Sequence, residues 1–253
     1  MDLGLRGKKA IVTGATKGIG RAIAEVLAAE GCGVGICARD AGEVEAAVAA
    51  LSATGVAAAG AALDVADGDA LNSWVGDMAA KLGGLDIVVA NVSALAIAPD
   101  EASWRRDFDI DVMHTVRVVE AALPHMEKYD AGAIVVISSV SGVQIDGAAG
   151  PYGAMKAALI HYTAGLSRRL APQGIRANTV SPGTVYFEGG VWNHIEKNDP
   201  AWFKKALASN PMGRMARPGE IANAAAFLAS PAASFITGAN LIVDGAASTG
   251  VQF

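Results

Sequence analysis

The sequence predicts a doubly wound α/β fold of the Rossmann type, in which helices cover both faces of a mainly parallel, seven-stranded sheet. Strand-like and helix-like segments alternate about seven times along the 253 residues. Such alternation builds parallel sheets with right-handed crossover connections. No stretch rich in proline, serine or charge interrupts it, so we expect residues 1–253 to form a single domain.

The first half of the chain alternates four strands with three helices. The strand at 9–13 is β-branched, and the strand at 85–90 lacks polar alternation, which is typical of a strand buried on both faces. The predicted strands are 9–13, 33–37, 56–63 and 85–90, and the predicted helices are 18–30, 43–52 and 67–82.

The second half continues the alternation of strands and helices until one long segment interrupts it. A helix is predicted at 108–128, with Pro124 ending or kinking it near its last turn. Residues 186–214 carry five aromatic side chains after a strand end, which favours a substrate lid; the alternative is a helical excursion that packs on the domain or on a partner subunit. The remaining elements are strands at 133–138, 175–180 and 241–243 and helices at 153–170 and from 218.

Charge and hydropathy exclude several classes of protein. The net charge of −5 argues against a nucleic-acid-binding surface, and no basic run suggests a membrane-surface patch. No apolar segment reaches the roughly 18 residues of a membrane span. Because the N-terminus also lacks a signal-peptide pattern, we expect a cytoplasmic protein.

Cysteine and histidine spacing gives no sign of a disulfide or a metal site. Cys32 and Cys37 are five positions apart around one predicted strand, and an odd number of positions places them on opposite faces. Because this disfavours a disulfide between them, we expect buried free thiols. The four histidines show no metal-ligand spacing with each other or with the cysteines, and we expect no metal.

A glycine-rich turn joins the first strand to the first helix. Glycines there permit positive φ and let backbone N–H groups approach a pyrophosphate, and the helix N-terminus adds partial positive charge. The segment predicts a dinucleotide phosphate site formed by Gly14, Thr16, Lys17, Gly18, Ile19 and Gly20.

Charge at the end of the second strand predicts the choice of nucleotide. An acidic residue there would bind the adenosine ribose and repel a 2′-phosphate, but this chain has Ala38 followed by Arg39. Lys17 and Arg39 could converge on a 2′-phosphate, with Asp40 pointing elsewhere. We therefore expect NADP(H) rather than NAD(H); alternatively, both cations are solvated surface charges.

A serine, a tyrosine and a lysine form the candidate catalytic set. Tyr152 and Lys156 lie four apart on a predicted helix and share one face, and Ser139 lies thirteen residues upstream, directly after a buried strand. A free phenol titrates near pH 10, so a phenol that works near neutral pH needs a neighbouring cation. Lys156 is placed to supply that charge.

The pattern T-G-x-x-x-G-x-G at 13–20, combined with Tyr152-x-x-x-Lys156, resembles the short-chain dehydrogenase/reductase superfamily over essentially the whole chain. The resemblance implies hydride transfer between a nucleotide and a carbonyl or alcohol. Tyr152 would be the general acid/base, Ser139 would bind the substrate oxygen, and Lys156 would also hold the nicotinamide ribose. Further cofactor contacts are implied at Asp64, Val65, Asn91, Pro182, Gly183 and Val185.

The chain departs from this family's pattern at three places. The usual Asn-Asn-Ala-Gly is replaced by the sequence from Ala90 to Ser93, which keeps only the second Asn. Phe187 stands where a Thr is often found, and whether Thr184 substitutes is open. Asp111 stands where the family has an Asn thought to hold a water next to the lysine. We expect an active enzyme with a modified proton relay.

The sequence is compatible with three functions. The first is an NADP(H)-dependent carbonyl reductase or alcohol dehydrogenase acting on a small molecule. The second is a 3-oxoacyl thioester (acyl-carrier-protein) reductase, whose carrier commonly docks on a basic surface; the candidate charges are Arg105, Arg106, Arg168 and Arg169. The third is a catalytically silent NADP(H)-binding protein, for which Asp111 is the one hint. The resemblance also implies a homotetramer built from the helices bearing Asp111 and Tyr152.

Overall fold

Seven parallel strands form one sheet in the computed structural model, which describes residues 2–126 and 132–250. The strands are β1 (Lys9–Thr13), β2 (Gly33–Ala38), β3 (Ala58–Ala62), β4 (Ile87–Ala90), β5 (Ala133–Ile137), β6 (Arg176–Pro182) and β7 (Asn240–Val243). Their order is β3-β2-β1-β4-β5-β6-β7, and every neighbouring pair is parallel. The direction of winding reverses between β1 and β4, and ligands of doubly wound sheets bind beyond the strand ends at such a point.

Helices cover both faces of the sheet, as predicted. They are α1 (Gly18–Ala29), α2 (Ala41–Ser52), α3 (Gly68–Leu82), α4 (Glu101–Asp107), α5 (His114–Met126), α6 (Pro151–Leu170), α7 (Val191–Asn198), α8 (Pro200–Ala208) and α9 (Pro218–Ala229). One face carries α1, α2 and α9, whose core residues include Leu27, Leu51 and Ile221. The other carries α3, α5 and α6, with Trp74 and Leu159 in its core.

Alternating residues of the buried strands supply the two cores. In β1, Ile11 packs on the α3 side and Val12 on the α1 side. Cys32 and Cys37 likewise belong to opposite cores, and both are free thiols, which confirms the prediction from their spacing. Burial raises the pKa of each thiol to about 12, so both are protonated at neutral pH.

The largest difference from the predicted elements lies ahead of α5. The predicted helix at 108–128 is preceded by α4, which the sequence analysis missed, and residues Phe108–Met113 form a π-helical segment that joins α4 to α5. Pro124 lies in the last described turn of α5, and the predicted end at residue 128 falls outside the described residues. The wide π-helical turn breaks the 3.6-residue period on which the prediction depended.

The helix that bears Tyr152 begins earlier than predicted. It starts at Pro151 rather than 153, because proline is suited to the first helical position and Gly150, with φ +146°, allows the sharp entry. Tyr152 therefore lies in the first turn of α6. The aromatic segment 186–214 contains α7 and α8.

Neither a membrane span nor a metal cluster is found in the described part of the chain. None of its helices combines the length and the hydropathy needed to cross a bilayer. No three histidine, cysteine, aspartate or glutamate side chains in residues 2–126 and 132–250 converge as metal ligands would.

Candidate active site

A glycine-lined turn lies at the carboxyl end of β1, where α1 begins. Gly14 and Gly18 have φ of +65° and +58°. At Gly20 a Cβ atom would stand 2.3 Å from the Gly14 carbonyl oxygen and 2.4 Å from Asn91 Nδ2, so only glycine fits. Backbone N–H groups of a glycine-lined turn at a helix N-terminus form a cradle that fits the phosphates of a dinucleotide.

Asn91 supports this turn from the end of β4. Its Nδ2 donates to the carbonyls of Thr13 (3.1 Å) and Gly14 (3.2 Å), and its backbone N–H donates to Thr13 Oγ1 (3.0 Å). The resemblance predicted Asn91 beside the cofactor. In the structure its amide is directed at the backbone of the turn, so it shapes the cradle.

His114, which was not among the predicted site residues, connects the same strand end to α5. Burial lowers the pKa of His114 to about 4, so the ring is neutral at physiological pH. Its Nδ1 lies 3.0 Å from the Ile110 carbonyl, which can only accept, so Nδ1 carries the hydrogen. Nε2 then accepts from Thr13 Oγ1 at 3.0 Å. The position of His114 in the sequence, three residues after Asp111, gave no signal for this role.

Lys156 and Asp111 form a buried ion pair. Lys156 Nζ lies 2.9 Å from Asp111 Oδ1, and the two side chains are 2% and 1% exposed. Nζ also donates to the Ile137 carbonyl (3.2 Å), and Asp111 Oδ2 accepts from the Ala94 N–H (2.8 Å). Burial by itself lowers the pKa of Lys156, but Asp111, together with Tyr152 and Asp107, outweighs burial and raises that pKa above its usual range. Lys156 is therefore a cation at neutral pH.

The π-helical segment delivers Asp111 to this position. Asp111 lies within Phe108–Met113, and a π-helical turn is wider than an α-helical one and shifts the side chains that follow it. The sequence singled out Asp111 as the replacement for a family Asn. The structure shows that the carboxylate contacts the lysine directly.

Tyr152 lies next to this ion pair. Lys156 Nζ is 5.6 Å from the centre of the Tyr152 ring, and the ring is half-buried. Both residues lie on one face of α6, as their spacing predicted.

Ser139 follows β5 in a loop that packs on α6. Its Oγ accepts from the Ser141 N–H (3.1 Å) and donates to Ser141 Oγ (3.3 Å), which in turn donates to Asp146 (2.7 Å). Ser138 Oγ donates to the Lys156 carbonyl at 2.8 Å, which fixes the loop to the helix. Ser138 thus has a structural role.

Two glycines allow the loop and α6 to meet backbone to backbone. A Cβ at Gly142 would stand 2.8 Å from the Lys156 carbonyl carbon, and one at Gly153 would stand 2.9 Å from the Ser141 carbonyl oxygen. The structure thereby brings the segments that bear Ser139, Tyr152 and Lys156 into one cluster at the ends of β4 and β5.

The other predicted cofactor residues lie at the same edge of the sheet. Asp64 and Val65 follow β3, and Asp64 Oδ1 accepts from the Ala66 N–H (3.0 Å). Pro182 ends β6, and the Gly183 N–H donates to Val243 of β7 (3.0 Å). Val185 forms a β-bridge with Ala216. Thr184 Oγ1 is buried and has no hydrogen-bond partner among the described residues, as expected of a group that a ligand would satisfy.

A carboxylate that the sequence analysis missed lies beside the glycine-rich turn. Glu43 accepts from Thr16 Oγ1 (2.9 Å) and pairs with Lys17 Nζ (3.3 Å). Asp40 points into α2, where it caps the Glu43 N–H (2.8 Å). Arg39 is exposed and pairs with no carboxylate in the described part of the chain. Only the tertiary fold places Glu43 next to Lys17.

The aromatic segment 186–214 contacts the glycine-rich turn through Phe187. The ring atom Cζ lies 2.6 Å from where a Cβ would stand at Gly18, and the same ring faces Gly190 at the start of α7. Tyr186 packs edge-on against Phe203 of α8 and donates to Glu196 of α7. The segment is therefore internally connected and lies over the phosphate cradle.

The fold, the phosphate cradle and the Ser–Tyr–Lys cluster define a nicotinamide-nucleotide oxidoreductase. Residues 14–248 match a family described as enoyl-(acyl carrier protein) reductase. The chain belongs to the short-chain dehydrogenase/reductase family.

Relatives of known activity cover nearly the whole chain. Isoepoxydon dehydrogenase of Penicillium expansum is 39% identical over 100% of this chain and 99% of its own. Cis-4-hydroxycyclohexanecarboxylate dehydrogenase of Sinomonas cyclohexanicum is 39% identical over 93% of this chain and 94% of its own. The crystal structure of L-sorbose reductase from Gluconobacter frateurii, complexed with NADPH and L-sorbose, superposes with a TM-score of 0.89 at 30% identity, covering 97% of this chain and 98% of that one.

The close approach at Gly142 gives a first prediction. Gly142→Ala should lower the free energy of unfolding by about 1–3 kcal/mol and reduce turnover, because the added methyl pushes the Ser139 loop away from α6. Gly165→Ala is the matched control: it lies on α6 with nothing within 4 Å of an added Cβ. Urea denaturation and steady-state kinetics measure both; equal behaviour of the two variants would contradict the prediction.

The buried ion pair gives a second prediction. Asp111→Asn should lower the free energy of unfolding at pH 7 by about 3 kcal/mol, because the amide can still accept from Ala94 but leaves a buried ammonium without its counter-charge. Since the pKa of Lys156 is raised in the folded state, the contribution of the pair is complete below the usual lysine pKa of about 10.4 and is lost as the pH rises through the folded value.

Urea denaturation at pH 7 and above pH 10 tests this loss. Asp109→Asn, an exposed position in the same segment, is the control and should change little. A wild-type stability at pH 7 in Asp111→Asn would show that the pair does not stabilise the fold.

Proposed function

We propose that this oxidoreductase transfers hydride between NADP(H) and a ketone or secondary alcohol, with Tyr152 as the general acid/base. The observation that carries the proposal is the buried Lys156 cation, which lies beside Tyr152. The Ser139 loop packs against the same part of α6. A cation fixed in a dry environment favours the phenolate form of a neighbouring phenol. These parts are what proton exchange at a substrate oxygen requires.

Each residue of the set has a separate task in this scheme. A nucleotide held in the cradle would supply or accept the hydride. Tyr152 exchanges a proton with the substrate oxygen, and Lys156 stabilises the phenolate and would hold the ribose hydroxyls. Ser139 Oγ, oriented by the Ser141 N–H, turns its hydrogen from Ser141 to the substrate oxygen. Asp111 holds Lys156 in place as a positioning residue and replaces the water-binding Asn of the family.

The charges around the turn support NADP(H). Arg39 has no carboxylate partner in residues 2–126 and 132–250 and is free to bind a 2′-phosphate, while Lys17 would have to exchange Glu43 for the phosphate. An exposed pair of this kind is worth about 1 kcal/mol or less, so a phosphate competes well for the lysine. The L-sorbose reductase structure contains NADPH.

The aromatic segment supports a compact substrate. Residues 186–214 would act as a lid, because Phe187 already connects them to the phosphate cradle. One relative is named for a cyclic secondary alcohol, the hydroxycyclohexanecarboxylate. We further propose a homotetramer, as the family resemblance implied, and a cytoplasmic location.

The two alternative functions are less well supported. The matched family description refers to an acyl-carrier-protein substrate, but Arg105 and Arg169 of the candidate docking surface already pair with Glu101 and Glu120. A silent nucleotide-binding protein would not need the paired lysine beside Tyr152.

The proton-transfer role predicts the effect of removing one oxygen. Tyr152→Phe should lower kcat by about a hundredfold or more, with NADPH affinity nearly unchanged. Tyr162→Phe on the same helix is the control, because its buried hydroxyl has no partner among the described residues and should not affect turnover. Reduction of a ketone panel is followed by NADPH absorbance. Retained activity in Tyr152→Phe would refute the mechanism, and nucleotide binding without turnover in the wild type would favour the silent protein.

The cofactor proposal predicts opposite effects of two substitutions. Glu43→Gln should tighten NADPH binding about threefold without changing NADH binding, because Lys17 is released from its pair. Arg39→Asp should shift preference toward NADH. Glu45→Gln, exposed on the same helix, is the control. Fluorescence titration with both nucleotides measures each Kd, and unchanged NADPH/NADH ratios would contradict the charge argument.

A further inference from the structure

The side chain of Phe187 fills the space beside one glycine of the phosphate cradle. A Cβ at Gly18 would stand 2.6 Å from the ring atom Cζ and 3.0 Å from Cε1 and Cε2, so the three nearest atoms all belong to this ring. Gly18 has φ of +58°, a conformation that favours a residue without a side chain. The phenyl ring is therefore the nearest neighbour on the side of Gly18 where a side chain would stand.

The three glycines of the turn have separate roles. In dinucleotide-binding turns the first glycine makes the tight turn, the second lets the backbone approach the pyrophosphate, and the third allows the helix to pack closely on the strand. Gly20 has the third role, because a Cβ there would stand 2.3 Å from the Gly14 carbonyl oxygen. Gly14, with φ +65°, makes the turn. Gly18 is thus the glycine that a pyrophosphate would approach, and Phe187 already contacts it.

The start of the aromatic segment holds the ring in this place. A Cβ at Gly190 would stand 2.8 Å from Cε1 and Cζ of the ring, so Gly18 and Gly190 both leave room for it. The Phe187 carbonyl accepts from the Gly190 N–H at 3.0 Å, and the Gly189 N–H donates to the Asn193 side chain at 3.1 Å. Phe187 also packs against the core on the α1 side of the sheet. The half-buried ring is thus a packed part of the fold.

Resting on the proposed function, we propose that Phe187 is an affinity-determining residue whose ring competes with the pyrophosphate of NADP(H) for the cradle. Because both need the same side of Gly18, the ring must leave before a dinucleotide binds. Its departure exposes apolar surface that is packed in the free protein, and the apparent affinity falls with the fraction of molecules in which the ring has left. Since the ring carries no charge, it weakens NADPH and NADH alike, unlike Lys17 and Arg39.

Phe187→Ala tests the competition by nucleotide binding, without any reaction. Its Kd for NADPH and its Kd for NADH should each fall about tenfold, as expected when part of a phenylalanine side chain no longer has to be exposed. 2′-AMP, which lacks the pyrophosphate, should bind the variant and the wild type equally. Phe235→Ala is the matched control, because that ring is fully exposed. Fluorescence titration measures each Kd.

The outcomes separate the competition from the proposed function. Dinucleotide Kd values in Phe187→Ala that are unchanged or higher would overturn the competition, and so would an equal gain for 2′-AMP. A wild type and a variant that bind neither dinucleotide would refute the proposed function, and the competition with it. If Phe187→Ala does not fold, Phe187→Leu takes its place, because leucine lacks the three ring atoms nearest to Gly18.

A second measurement tests the resting position of the ring without any nucleotide. Gly190→Ala should lower the urea midpoint of the wild type, because the new methyl meets the ring. The same substitution in Phe187→Ala should lower the midpoint less, because the ring is gone. Gly219→Ala, with nothing within 4 Å of its added Cβ, is the control and should act equally in both backgrounds. Equal effects of Gly190→Ala in both backgrounds would show that the ring rests elsewhere and would overturn the proposal.

Discussion

The buried ion pair of Lys156 and Asp111 is the interaction on which the arrangement of the site depends. Two charges with side chains 2% and 1% exposed are costly to remove from water unless each is paired and hydrogen-bonded. Here Lys156 Nζ and Asp111 Oδ1 are 2.9 Å apart. Lys156 Nζ also donates to the Ile137 carbonyl, and Asp111 Oδ2 accepts from the Ala94 N–H. The pair thus joins α6, the end of β5, the π-helical segment and the segment after β4. Lys156 Nζ in turn lies 5.6 Å from the centre of the Tyr152 ring.

The remainder of the site is held by contacts between backbones. Glycines at 142 and 153 let the Ser139 loop touch α6, and Gly20 lets α1 approach the end of β1. The neutral His114 ring adds a side-chain link, because it connects Thr13 of β1 to the Ile110 carbonyl of the π-helical segment. These contacts restrict how far the segments of the site can move relative to one another, and preorganised proton transfer needs such a fixed geometry.

Two polar groups of the site are held by partners that a ligand could replace. Lys17 is held by Glu43, which a phosphate could replace, and the Ser139 hydroxyl is held by Ser141, which a substrate oxygen could replace. The Lys156 ammonium, in contrast, is paired with a carboxylate that is buried from solvent. The exposed ion pair of Lys17 and Glu43 therefore differs from the buried ion pair of Lys156 and Asp111.

The sequence alone predicted the strand–helix alternation, the glycine-rich turn, the opposite faces of the two cysteines and the shared helix face of Tyr152 and Lys156, because these features depend on short-range periodicity and backbone sterics. It also singled out Asp111, although only through a family resemblance. The contacts of Asp111 with Lys156, of Glu43 with Lys17 and of His114 with Thr13 emerge only in the folded chain. Those contacts join residues far apart in the chain, and their distances and burial are set by strand order, a π-helical turn and close helix packing, none of which a local pattern records.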